Sequence, residues 1–236
     1  MNITSDANNF CEKRLIGNPE YFSSFSALFI SLFPIIGIIY NKIISKEALN
    51  IFSILIITGF TSFGYHWYGW YLFKLLDEIP MILAVWLGIY ELKYDISKNI
   101  YSSIIVNLYF ILIITINSFP QYQYLFPILF TLSMILLIPL LIFKLSRVDN
   151  NDVVIKKNLY NILYNGVKYC LVSGIIWILS ERYCNILFIL AHSIWHFGIG
   201  LGVYHIIIFQ EYYCNYINKK NKLEIEYKFS IIPIIK

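Results

Sequence analysis

Residues Ser62 to Met81 read SFGYHWYGWYLFKLLDEIPM. The stretch holds a histidine, a lysine and two adjacent acids, yet it lies inside an apolar region of the chain. Ionisable groups in such surroundings are costly unless they are partnered or functional. Their placement therefore decides whether the chain is a passive membrane bundle or an enzyme.

Working outward, the chain of 236 residues is 58% hydrophobic and only 14% charged, with a mean hydropathy of +0.66, well outside the range of soluble domains. At roughly 20 apolar residues per crossing it has room for about six to eight spans and no separate soluble domain. The first twenty residues, MNITSDANNFCEKRLIGNPE, show neither a basic n-region nor a cleavage site, so no removable signal peptide is expected. Apolar runs follow at Tyr21 to Tyr40, Ala48 to Tyr68, Ile79 to Leu92, Ile100 to Ile116, Tyr124 to Phe143, Tyr160 to Leu179 and Ile186 to Phe209. They predict an all-α membrane protein, a seven-transmembrane helix bundle over residues 21–210, with an N-terminal segment 1–20 and a tail 211–236. The runs are continuous rather than alternating, which argues against a membrane β-barrel.

Orientation follows from the basic residues. One side of the seven-helix scheme carries Lys42, Lys46, Lys93, Lys98, Lys144, Arg147, Lys156, Lys157 and the lysines of the tail. The other carries Lys13, Arg14, Lys74 and Arg182, with Lys74 in the connection between the second and third spans. The positive-inside rule then puts the C-terminus in the cytosol and the N-terminus in a lumen or outside the cell. The net charge of +4 is thus mainly topology, and nothing points to nucleic acid or to an obligate protein partner. The basic tail is expected on the membrane surface, and the endoplasmic reticulum or Golgi membrane is the expected location. Cys11 and Cys184 fall on the oxidising side, where they either pair or remain two unrelated thiols. Cys170 lies in a span and Cys214 on the cytosolic side.

Of the four histidines, His66, His192 and His196 come near the lumenal face, while His205 lies deeper and reads as core. His192 and His196 in AHSIWHF are four residues apart, which stacks both imidazoles on one helical face and lets them reach one metal. His66 can add a third ligand from another helix, leaving a fourth tetrahedral position open, as a catalytic zinc requires. The plainer alternative is a set of core histidines hydrogen-bonded to neighbouring helices. Ser62 stands one turn before His66 on the same face, and Asp77 opens the third span at the same depth. Glu78 projects about 100° away from Asp77 and is expected to cap the helix or face the interface.

These residues resemble the alkaline ceramidases, a family within the seven-helix hydrolase superfamily that includes the adiponectin receptors. The similarity lies in Ser62, His66 and Asp77 at their spacing, followed by Glu78, Pro80 and Met81, and in HSIWHFGIGLGVY with His192, Trp195, His196, Gly200, Gly202 and Tyr204. The resemblance implies that His66, His192 and His196 hold Zn2+, that Asp77 exchanges protons with the attacking water, and that Ser62 contacts that water or the developing oxyanion. The substrate it implies is ceramide, cleaved at its amide bond to a sphingoid base and a fatty acid. It also implies a Cys11–Cys184 disulfide.

The resemblance further implies a Ca2+ site before the first span, at Asn9, Phe10, Glu12, Arg14 and Glu20. Here Asn9 replaces an acid and Arg14 introduces a cation, so a hard ion that prefers carboxylates is expected to bind weakly or not at all. Arg14 is expected to pair with Glu12 or Glu20 instead. Three other functions compete: a lipid-ester hydrolase of the same superfamily, a seven-helix receptor with a structural zinc, and a transporter or scaffold that would leave the three histidines unexplained. The receptor's usual opposite orientation counts against it.

Overall fold

In a computed structural model, which describes residues 10–42, 44–96, 100–218 and 224–236, the chain folds as a helical bundle. A short helix α1 (Cys11–Ile16) precedes α2 (Tyr21–Tyr40), α3 (Lys46–Tyr68), α4 (Tyr71–Ile96), α5 (Ile100–Asn117), α6 (Phe126–Ser146), α7 (Val153–Arg182) and α8 (Ala191–Ile217). Among the described residues, six of the long helices are long and apolar enough to cross a membrane, namely α2, α3, α5, α6, α7 and α8. Helix α4 is 26 residues long but carries Lys74, Asp77, Glu78, Glu91, Lys93 and Asp95, which keeps it out of that set.

The bundle has an inner and an outer part. Half of the most apolar stretch of α2, α3 and α8 is buried, against 17% in α5, 28% in α6 and 22% in α7. The outer helices expose Ile105, Leu108, Ile111, Ile128 and Ile178, as a lipid-facing surface would. Close approach inside rests on small residues: a Cβ on Gly59 of α3 would stand 2.7 Å from the Ser31 backbone nitrogen of α2, and one on Gly202 of α8 would stand 2.8 Å from the Gly166 carbonyl of α7. Neither contact tolerates a side chain.

The junction of α3 and α4 differs from the expected connection. Gly69 closes α3 in the left-handed region, at φ 67°, and only Gly69 and Trp70 separate the two helices. Lys74 and Asp77 therefore lie in the first two turns of α4 rather than in a loop and at a helix start. Lys74 is fully buried, with Nζ 3.6 Å from Glu78 Oε1 one turn on. That pairing lets the helix continue through three charged residues, and it turns Glu78 inward rather than toward the interface. Pro80 has no N–H for the Leu76 carbonyl, and Thr61 Oγ1 of α3 lies 2.7 Å from that carbonyl, closer than to the carbonyls of its own helix. The proline thus provides an acceptor that fastens α4 to α3 beside Ser62.

The tail also departs from expectation. Helix α8 continues to Ile217, and the chain then returns as an antiparallel hairpin of β1 (Ile225–Lys228) and β2 (Ile232–Ile235). The fold is therefore not wholly α-helical. Ile232, Ile234 and Ile235 are buried in the core, because β-branched residues this apolar gain more from packing than from lying on a surface. Tyr204 donates to the Pro233 carbonyl at 2.8 Å, and the Ile235 N–H donates to Asn41 Oδ1 at 2.7 Å, docking β2 between α8 and the end of α2.

Ile234→Asp would bury an unpaired carboxylate in that dock, at a cost of several kcal/mol. The melting temperature of the purified protein should fall by about 5 °C or more, and Glu226→Gln on the exposed face of β1, which removes only surface ion pairs, should shift it by about 2 °C at most. An Ile234→Asp protein that melts like the wild type would contradict the docked hairpin.

Candidate metal centre

His66 lies in the last turn of α3, and His192 and His196 in the first turns of α8, two of the most buried helices. The three side chains are 2%, 4% and 1% exposed, and each offers a nitrogen within 4.8 Å of the others. Among the described residues this is the one group of three ligand side chains that converges in this way.

Two hydrogen bonds orient the rings. Glu20 Oε2 lies 2.9 Å from His66 Nδ1, and the Glu20 backbone N–H donates to the His66 carbonyl at 3.1 Å, so the start of α2 grips the end of α3 at two points. Ser26 Oγ lies 2.9 Å from His196 Nδ1 and 3.0 Å from the Ser23 carbonyl. The consistent proton assignment has each Nδ1–H donating to its oxygen and Ser26 passing its own proton to Ser23. That leaves the Nε2 lone pairs of His66 and His196 free to face inward. His66 Nε2 and His192 Nε2 are 3.3 Å apart. A tetrahedral ion with Zn–N bonds of about 2.0–2.1 Å has an edge of about 3.3 Å. The donor set, the burial and the outer hydrogen bonds therefore fit a zinc ion.

A cavity lined by all three histidines also presents Asp77, Glu78, Trp177 and Trp195. Ser62 hydrogen-bonds to Asp77 across the α3–α4 junction, while Asp77 Oδ1, buried, has no hydrogen-bond partner among the described residues. A carboxylate oriented on one oxygen and free on the other can accept a proton from a small molecule in the cavity.

The described part of the N-terminal segment packs against this site. Cys11 and Cys184 form a disulfide that joins residues 173 apart. Glu12 spends both oxygens capping α2, accepting from the Phe22 N–H at 2.7 Å, the Ser23 N–H at 2.9 Å and the Ser23 hydroxyl at 2.6 Å. Arg14 pairs with neither Glu12 nor Glu20. Its guanidinium donates to the Glu181 carboxylate and carbonyl, both at 2.9 Å, at the end of α7. Phe10 lays its ring over His192, with centroids 4.4 Å apart, and Asn9 lies outside the described residues. With Glu12 and Glu20 committed to hydrogen-bond donors and Arg14 drawn to α7, the described part of the motif does not fit a hard cation.

Some of these partners were not readable in advance. Ser26, Glu181 and the ring of Phe10 carry no local pattern that marks them. Glu20 did carry a signal, as a lone carboxylate at the same depth as His66 and one span away. His205 is fully buried, and its Nδ1 bonds the Leu201 carbonyl of its own helix at 2.8 Å, apart from the centre as expected.

No curated protein matches the chain. A comparison with protein-family models matches residues 2–236, the whole length of the fold and every residue of the histidine centre, to the family described as Ceramidase. The chain belongs to the ceramidase family, hydrolases acting on an amide bond.

Proposed function

We propose that the protein is a zinc-dependent amidase that cleaves the N-acyl bond of ceramide within the membrane, giving a sphingoid base and a free fatty acid. The observation that carries this reading is the convergence of three buried imidazoles beside a buried carboxylate in a chain of this family. Zinc held by His66, His192 and His196 would supply two effects, a lowered pKa for water and a polarised amide carbonyl.

The protein's own groups do the rest. Asp77 takes the proton from water as its oxygen adds to the carbonyl carbon, and returns it to the amide nitrogen as the C–N bond breaks. Ser62 hydrogen-bonds to Asp77 and orients it, and in this reading its hydroxyl turns to the oxygen that gains charge once Asp77 holds the proton. Glu20 and Ser26 fix the rings of His66 and His196, and Phe10 covers the centre on its outer side.

In this reading α4 is the seventh span, because Asp77 and Glu78 face the cavity and Ile82, Val85 and Ile89 pack inside the bundle. The N-terminus is lumenal and the C-terminus cytosolic, supported by the basic residues and by a disulfide suited to an oxidising compartment. The endoplasmic reticulum or Golgi membrane would supply both that compartment and the lipid.

Purified protein incubated with ceramides and phospholipids, with products read by mass spectrometry, should release sphingoid base. Lysophospholipid alone would favour the ester-hydrolase alternative, and no product from either would favour the receptor. Asp77→Asn should lower turnover by about 10²–10⁴-fold while the metal content stays that of the wild type. Glu20→Gln should weaken metal affinity by about 10–100-fold, seen as earlier loss of metal on titration with a chelator. Unchanged affinity would show that Glu20 does not support the ligand.

A further inference from the structure

An apolar channel begins one helical turn from the centre. Thr58, Met81 and Gly200, which line it, stand four residues from Ser62, Asp77 and His196 respectively. Its walls are almost wholly apolar, with Ile51 and Leu55 from α3, Val85 from α4 and Leu137 from α6. Its far end is different, because Glu91 of α4 and Gln210 and Glu211 of α8 line it there.

These polar groups are held in place. Lys144 of α6, itself 1% exposed, donates to Gln210 Oε1 at 2.8 Å. Glu211 accepts from the N–H of Ser45 at 2.8 Å and from its hydroxyl at 2.5 Å, at the start of α3. The far end is thus a hydrogen-bonded layer that joins α3, α6 and α8, with Glu91 beside it.

We propose that Glu91, Gln210 and Glu211 form a floor that sets how long an acyl chain the protein accepts. The inference rests on the ceramide reading for the identity of the chain and on the channel for its length. A methylene that moves from the bilayer into the apolar part changes affinity little, since lipid tails are as apolar as the channel walls. One that reaches the floor must displace buried, hydrogen-bonded charge and gains nothing. Three helices give the same depth: Ser62 to Ala48, Asp77 to Glu91 and His196 to Gln210 are each 14 residues, or about 21 Å of helix. With C–C bonds of about 1.5 Å, an extended chain advances about 1.3 Å per carbon, so about sixteen carbons reach from the centre to the floor.

The test uses purified protein in lipid nanodiscs and has two readouts. Retention of free fatty acids is measured by native mass spectrometry, and kcat/KM is measured for ceramides with N-acyl chains from about 12 to about 24 carbons. Both should stay level to about sixteen carbons and then fall, by about tenfold or more at the longest chains. Gln210→Ala, which lowers the floor, should move the break to longer chains. Gly88 lines the channel one turn above Glu91, and a Cβ there would meet its nearest neighbour, Leu137, at 3.7 Å, so the site has room. Gly88→Leu should move the break shorter by about four carbons. A break that neither variant moves, or a flat profile, overturns the floor. If no ceramide is hydrolysed but fatty-acid retention breaks and shifts as described, the floor stands and the amidase reading fails. Hydrolysis with a flat length profile gives the reverse.

Discussion

The grip of Glu20 on His66 is the contact on which the rest of the site depends. One residue at the start of α2 bonds both the backbone carbonyl and the ring of a residue at the end of α3, and both partners are almost completely buried. A carboxylate buried this deeply is costly unless it has a donor, and an imidazole nitrogen directed into a bundle core is costly unless it has an acceptor or a cation. Each meets the other's need on one side. The unmet need on the other side, three inward nitrogens, is what a metal ion supplies. The covalent strap from Cys11 to Cys184, the Glu12 cap and the Arg14–Glu181 pair then hold the start of α2 against α7 and α8, so the grip is made in register.

The same requirement, that every buried polar group find a partner, organises the opposite end of the bundle. There Ser45, Lys144, Gln210 and Glu211 join α3, α6 and α8, and the docked hairpin satisfies Asn41 and Tyr204. Between the two polar layers the lining is almost wholly apolar. A lipid whose reactive amide sits at one layer and whose tail points to the other meets a dry path between them. In the proposed reading, the histidine end of the bundle and the end that limits chain length are thus joined without any moving part.

Much of this was legible in the residues, and the reasons are particular. Apolar runs of helical length identified the long helices, because lipid-facing residues such as Ile105 and Leu108 and core residues such as Ile113 are equally greasy. The i,i+4 spacing of His192 and His196 marked a ligand pair because helical geometry stacks such residues. Less legible was anything decided by pairing across the chain. Lys74 reads as part of a connection and Asp77 as a helix start, because the sequence does not show that Lys74 and Glu78 neutralise one another inside the helix. The tail's charge suggested a surface segment, whereas its isoleucines pack into the core. Arg14 looked toward the nearby acids Glu12 and Glu20, but α2 had already taken Glu12 as its cap and His66 had taken Glu20. The free acid was Glu181, 167 residues away.

A zinc centre on the three histidines can be read from the metal itself. Elemental analysis of the purified, unmodified protein, combined with X-ray absorption at the zinc edge, should find one zinc per chain with three imidazole nitrogens at about 2.0–2.1 Å. Protein that is folded and carries no stoichiometric zinc, or zinc bound through sulfur, would contradict it.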